Sequence, residues 1–199
     1  SVYTEDLAVK HKFPLVRLHE GGGGSVAGPS KEKKGYGGDP VFARSRFKSV
    51  AQTLKEVPVV SAALGPVAGL PASRFVGSHF RIMVKDNAQI LVAGPAVVSR
   101  AFGKDFTKEE LGGSDVHKKN GVTDNIADSE EDAFNQIKKF LSFFPANIYE
   151  LPPKKDSKDE IDRSEKILEE IIPKDRKKTY EMREIINLVV DDKDFFETT

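Results

Sequence analysis

The sequence contains no cysteine in its 199 residues, which excludes disulfide bonds, thiolate metal sites and cysteine nucleophiles. It also has no net charge, with 31 basic and 31 acidic residues, so overall electrostatic attraction to nucleic acids or to membranes is excluded. The four histidines are scattered without the spacing of metal ligands. No apolar run reaches the roughly 18 residues of a membrane span.

What the chain does contain is typical of a globular domain with a real core, because 38% of its residues are hydrophobic and 31% are charged. Apolar segments bounded by turn residues alternate with segments of helical periodicity. We predict strands at 15–18, 58–64, 80–85 and 89–93. We predict helices at 4–12, 41–56, 72–77, 96–102, from 129 onward, and at 180–190. Repeated strand–turn–helix units predict an α/β fold with helices packed against sheets.

Two segments match the capping box, in which the first and fourth side chains satisfy backbone N–H groups at a helix start. These are Thr107 to Glu110 and Ser129 to Asp132. The second one opens a helix with a single apolar face, which we interpret as ordinary core.

The segment 64–71 follows a predicted buried strand, and its Gly65-Pro66 pair predicts a sharp turn. A turn after a buried strand can direct free backbone N–H groups to one point, where they stabilise an oxyanion or an enolate. The alternative interpretation is an ordinary strand followed by an ordinary turn.

Three further segments carry a family resemblance by their order and spacing. They are a Gly-Pro pair opening a helix in 92–98, Glu-Leu-Gly-Gly followed by a histidine in 109–117, and Gly-Val-Thr-Asp in 121–124. With them, nearly the whole chain resembles the carboxyltransferase (β) subunit of biotin-dependent acyl-CoA carboxylases, such as the propionyl-CoA and methylcrotonyl-CoA carboxylases. The resemblance implies a crotonase-like fold of the ClpP/crotonase superfamily, built from β-β-α units.

The resemblance also implies a function: transfer of a carboxyl group from carboxybiotin to the α-carbon of an acyl-CoA through an enolate. Biotin would arrive on a carrier domain of a partner, the biotin carboxylase or biotin carrier subunit, and this subunit would need no metal. The expected assembly is a dimer-based homo-oligomer, a hexamer in the full-length enzyme, without nucleic acid or membrane partners. The expected location is the mitochondrial matrix in a eukaryote and the cytoplasm in a bacterium.

The family's functional turn implies site residues here. Gly69 and Leu70 align with an Ala-Gly-Gly turn whose amides face the thioester oxygen, which makes their backbone N–H groups the predicted oxyanion hole. Pro71 has no N–H and cannot donate. A glycine run after Glu20 aligns with a loop along which acyl-CoA passes close to the backbone, and its predicted binding residues are Gly22, Gly23 and Gly24.

Other polar residues have simpler interpretations. Gly112, Gly113 and His117 fit the family motif, and we interpret all three as structural. Asp124 is expected to cap or orient a turn. A basic group could attract CoA phosphates, although a solvated charge cluster is the simpler interpretation; its members are Lys31, Lys33, Lys34, Arg44 and Arg46.

The resemblance divides the chain into three parts. Residues 1–150 are the predicted N-terminal, acyl-CoA-binding domain, incomplete at its start; 151–179 are a charged linker; and 180–199 begin an absent C-terminal domain. The isolated chain is therefore expected to be inactive, because half of each active site is missing. Two alternatives stay open: another crotonase-type acyl-CoA enzyme, such as a hydratase or isomerase, and a non-catalytic fragment or assembly module.

Overall fold

The computed structural model describes residues 2–21 and 45–198. The chain forms two compact units, one of Ser1–Pro152 with the last two residues, and one of Pro153–Glu197. The assignment of the three sequence segments to domains stays a prediction.

The described strands of the larger unit form one five-stranded parallel sheet in the order β1-β2-β3-β5, with β4 paired to β2. Its strands are β1 (Leu15–Gly21), β2 (Val59–Ala68), β3 (Phe80–Val84), β4 (Gln89–Leu91) and β5 (Asn125–Ala127). Its helices are α1 (Val2–His11), α2 (Arg46–Glu56), α3 (Leu70–Val76), α4 (Pro95–Phe102), α5 (Lys108–Gly112), α6 (Ser114–Asn120) and α7 (Glu130–Leu141). This arrangement confirms the predicted α/β class.

The core lies on the central strands, where parallel pairing buries both faces. Val60 and Ile82 are fully buried, and Phe80 stacks on Phe140 of α7 with 4.6 Å between ring centroids. Burying one such side chain contributes about 1.5–3 kcal/mol relative to leaving it exposed. The apolar periodicity of the sequence therefore identifies the correct core elements.

The predicted turn at Gly65-Pro66 is wrong, because β2 continues through both residues to Ala68. In the pairing with β1, His19 lies opposite Ala63 but Gly21 lies opposite Val67, so β2 carries two extra residues in a bulge. Before the bulge β2 pairs with β3, and after it with β4. At Gly65-Pro66 the strand does not end; its pairing passes from β3 to β4. The turn comes later, at Gly69.

Of the two predicted capping boxes, one is confirmed in full and the other only in its first half. At α5, the Thr107 hydroxyl accepts the Glu110 N–H at 3.1 Å, and the Glu110 carboxylate accepts the Thr107 N–H at 2.8 Å. At α7, Ser129 accepts the Asp132 N–H at 3.1 Å, but the Asp132 carboxylate accepts from Asp128. The reciprocal half of the second box is therefore wrong, since aspartate is one carbon shorter than the glutamate that a capping box requires.

The smaller unit contains α8 (Met182–Val189) and two short 3-10 helices, and no residue described in it is fully buried. The Arg163 guanidinium donates to the Leu188 carbonyl at 2.6 Å and so satisfies the C-terminal end of α8. The predicted helix at 180–190 is confirmed within two residues at its start.

Candidate functional site

The turn between β2 and α3 leaves two backbone donors without an acceptor among the described residues. Gly69 has φ 68° and ψ −131°, a conformation that glycine adopts at little cost, and it starts α3. Its own N–H donates to the Leu91 carbonyl at 3.2 Å, which joins the turn to β4. The Leu70 and Ala72 N–H groups, in the first turn of the helix, have no acceptor among the described residues.

A pocket of about 470 Å³ lies beside this turn. One wall is a single face of α3, because its residues follow the spacing i, i+3, i+4 and i+7 of a helix stripe. The second wall is β4 with the residue that follows it, and α6 with its C-terminal turn closes the third side. The lining residues are Gly69, Ala72, Ser73, Val76, Ile90, Leu91, Val92, His117 and Val122.

His117 lines the pocket, yet both of its ring nitrogens are engaged with the protein. Nε2 lies 2.8 Å from the Ile90 carbonyl, which can only accept, so Nε2 carries the proton and donates. Nδ1 lies 3.3 Å from the Asn120 amide nitrogen and accepts from it. The side chain thus fastens α6 to β4, which supports the structural interpretation of His117.

The two glycines of the Glu-Leu-Gly-Gly motif are required by close packing. A Cβ at Gly112 would overlap the Ile90 carbonyl oxygen and lie 2.8 Å from Leu91 Cδ2. A Cβ at Gly113 would overlap the Glu109 carboxylate and lie 2.8 Å from the Glu109 carbonyl oxygen. The Gly112 contacts place α5 directly against the pocket strand β4, and the Gly113 contacts are with Glu109 of α5 itself.

The opposite end of α3 is held by a group that we call the Glu5 cluster: Glu5, Arg17, Ser49 and Arg74. Glu5 is 2% exposed and accepts from Ser49 Oγ at 2.6 Å, Arg17 Nη2 at 2.9 Å and Arg74 Nη2 at 3.4 Å. Arg17 Nη1 also donates to the Gly77 carbonyl at 3.0 Å, beyond the last residue of α3. Burial lowers the pKa of Arg17, and the Glu5 carboxylate acts against that shift.

Our sequence analysis missed the Glu5 cluster. The available signal was Arg17 itself, which shares the inward face of β1 with Leu15 and His19 because strand side chains alternate. A charged residue at such a position requires a buried partner.

His19 lies next to the Glu5 cluster on the same strand. Its Nε2 is 3.0 Å from Ser61 Oγ, and Ser61 Oγ is 2.7 Å from Ser78 Oγ. Burial, followed by the charges of Arg17 and Arg74, lowers the pKa of His19 from 6.5 to about 4. The imidazole is therefore neutral at neutral pH.

Asp124 pairs with Arg81 of β3, whereas the sequence predicted a local role in capping or orienting a turn. Its carboxylate accepts the Arg81 N–H at 2.8 Å and the Arg81 guanidinium at 2.9 and 2.7 Å. This pair fixes the end of the 121–124 motif against β3.

The glycines predicted to bind acyl-CoA and the basic residues considered for CoA phosphates lie outside the described residues. They are Gly22, Gly23, Gly24, Lys31, Lys33, Lys34, Arg44 and the side chain of Arg46. Within residues 2–21 and 45–198, no three histidine or carboxylate side chains are grouped to hold a metal ion. The helices described there are all too short or too polar to cross a bilayer.

The chain matches the carboxyl transferase domain family over residues 1–199. The chain belongs to this family. One relative is the propionyl-CoA carboxylase beta chain of Roseobacter denitrificans, which is 31% identical over 193 residues. Another is the methylmalonyl-CoA decarboxylase subunit alpha of Veillonella parvula, which is 30% identical over 197 residues. The alignments cover 96% and 98% of this chain but 36% and 37% of the relatives, so the chain spans about a third of their length.

The fold is that of carboxyltransferase structures. The transcarboxylase 12S structure, a hexamer with hydrolysed methylmalonyl-coenzyme A bound, matches with a TM-score of 0.77 and 25% identity. That match covers 99% of this chain and 38% of the other. The predicted crotonase-like fold is confirmed. Relatives include a propionyl-CoA carboxylase beta chain named as mitochondrial in Mus musculus as well as bacterial proteins.

Proposed function

We propose that this chain forms the acyl-CoA-binding part of the carboxyltransferase component of a biotin-dependent acyl-CoA carboxylase. The parent enzyme moves a carboxyl group from carboxybiotin to the α-carbon of an acyl-CoA through an enolate. The observation that carries the proposal is the open Leu70 amide at the start of α3, beside an apolar pocket, in a chain of the carboxyl transferase family.

In this proposal the Leu70 N–H donates to the thioester oxygen as negative charge develops on it. A donor held in place before the reaction stabilises the enolate without reorganisation, and losing one such donor costs about 10²–10³ in kcat. Gly69 contributes the left-handed backbone that aims the next amide, and its own N–H fixes the turn to β4. The predicted donor pair thus divides into one positioning residue and one direct donor.

The remaining components follow from the family. Biotin reaches the site on the carrier domain of a biotin carboxylase or carrier partner, and Gly22 to Gly24 carry the backbone along which acyl-CoA passes. The assembly is a dimer-based homo-oligomer, a hexamer at full length. The location is the mitochondrial matrix or the bacterial cytoplasm, according to the source.

The chemistry of the pocket separates this proposal from a hydratase or isomerase. Those enzymes use a carboxylate acid–base group next to the thioester. None of the described residues that line the pocket is acidic. A carboxyltransferase needs stabilisation of the enolate and the proximity of two tethered substrates, which an open amide and an apolar wall can serve.

The proposal is tested with the full-length parent enzyme and its biotin partner. Leu70→Pro removes the backbone N–H together with the leucine side chain, at the first helical position, where proline is tolerated. We expect carboxylation of acyl-CoA to fall about 10²–10³-fold in kcat, with an unchanged melting temperature. Leu70→Ala keeps the N–H and serves as the matched control. Equal activities of these two variants would contradict the role of the amide.

A further inference from the structure

We infer that the pocket along α3 holds the hydrocarbon tail of the acyl group, so that the parent enzyme prefers acyl-CoA thioesters whose tail is longer than propionyl. This inference rests on the proposed function and names its substrate class. The residues that set the chain length are Ala72 and Val76 on α3.

The first support is the chemistry of the walls. Six of the lining residues are alanine, valine, isoleucine or leucine, and none carries a charge. His117 offers no free polar atom, since Ile90 and Asn120 occupy both ring nitrogens. Moving a hydrocarbon tail from water into such a space lowers its free energy. The amides of a pantetheine arm would instead lose hydrogen bonds to water there.

The second support is the position of the wall relative to the proposed donor. The open Leu70 amide begins the helix whose next turns form the wall, so an acyl group held at that amide continues along α3. From Leu70 to Val76 the helix rises about 9 Å. A propionyl group is much shorter than this wall and would leave most of it in contact with water.

The third support is the size of the space. The pocket of about 470 Å³ is several times larger than a propionyl group, since a group of the size of a water molecule takes about 30 Å³. Its floor is buried, since Leu91 is 5% exposed, while its rim is open, since Val92 is 98% exposed. A tail longer than propionyl can therefore contact both the buried floor and the open rim.

The test measures kcat/KM of the full-length enzyme, with its biotin partner, for saturated acyl-CoA thioesters from propionyl-CoA to dodecanoyl-CoA. We expect kcat/KM to rise about fourfold for each added methylene until the tail reaches Val76. Val76→Phe shortens the wall, and we expect it to lower kcat/KM for octanoyl-CoA at least tenfold more than kcat/KM for propionyl-CoA.

The matched control is Val97→Phe. Val97 is 44% exposed on α4 and does not line the pocket, whereas Val76 is 45% exposed on α3. The control should leave the chain-length profile unchanged, and melting temperatures should verify that both variants fold.

The outcomes separate this inference from the proposed function. A preference for propionyl-CoA, or a Val76→Phe variant that slows all substrates equally, would overturn the chain-length inference and leave carboxylation standing. Failure to carboxylate any acyl-CoA would overturn the proposed function.

Discussion

The two ends of α3 are built in opposite ways. At its C-terminal end, the Glu5 cluster buries an ion pair network and satisfies the Gly77 carbonyl. At its N-terminal end, the Leu70 N–H is unpaired within the described structure and an apolar pocket lies alongside. In this helix of seven residues, buried charges fix the C-terminal end while the first N–H group at the N-terminal end has no acceptor among the described residues.

Magnitudes decide which end controls stability. An unpaired N–H withheld from water costs about 1–3 kcal/mol, whereas removing one partner of a buried ion pair costs about 3–5 kcal/mol. The C-terminal end should therefore determine whether the helix forms, and the N-terminal end whether the enzyme works.

The largest effect is expected at the Glu5 cluster. Glu5→Gln leaves Arg17 and Arg74 without their shared carboxylate, and we expect the free energy of unfolding in urea to fall by about 3–5 kcal/mol. The control is Glu56→Gln, which breaks the partly exposed Lys12–Glu56 pair and should change stability little. Equal losses in the two variants would contradict the distinction between buried and exposed pairs.

His19 provides a pH-dependent test of the same end. An unfolded chain binds a proton near the ordinary pKa of 6.5, but in the folded chain burial lowers the pKa of His19 to about 4. The contribution of His19 to the free energy of unfolding is therefore fully present above pH 6.5. It is lost as the pH falls towards 4, by about 3 kcal/mol in total. Urea unfolding at about pH 7.5 and about pH 4.5 measures this decline.

The variant His19→Gln should lose that pH-dependent contribution, whereas His11→Gln, at an exposed position, should keep it. A wild-type pH dependence that survives in His19→Gln would show that another group is responsible.

A smaller effect is expected where α5 supports the pocket at the N-terminal end. Gly112→Ala places a methyl group against the Ile90 carbonyl oxygen, and we expect a loss of about 1–3 kcal/mol together with weaker acyl-CoA binding. Gly94→Ala is the control, because nothing lies within 4 Å of a Cβ there. Thermal melts and calorimetry measure both variants, and an unaltered Gly112→Ala protein would contradict the close packing of α5 on β4.

Local patterns account for what the sequence could predict. The apolar periodicity of α7 and the apolar run of β2 identify buried elements, because the buried face of one element repeats along its own chain. The family motif likewise led to His117 and Gly112 as structural residues. Each of these inferences uses residues close together in sequence.

Non-local partners account for what could not be predicted. Glu5 meets Arg74 across 69 positions, and His117 meets Ile90 across 27. The bulge at Gly65 depends on the register between β1 and β2, which the sequence of β2 alone does not contain. The donor at Leu70 was predicted from a family turn, but the engagement of the Gly69 N–H with Leu91 required the position of β4.

The most direct test of the account is a crystal structure of the full-length enzyme with an acyl-CoA bound. We expect the thioester oxygen to lie about 2.7–3.1 Å from the Leu70 nitrogen, with the acyl tail along Ala72 and Val76. A thioester oxygen that the Leu70 amide does not contact would contradict the central claim.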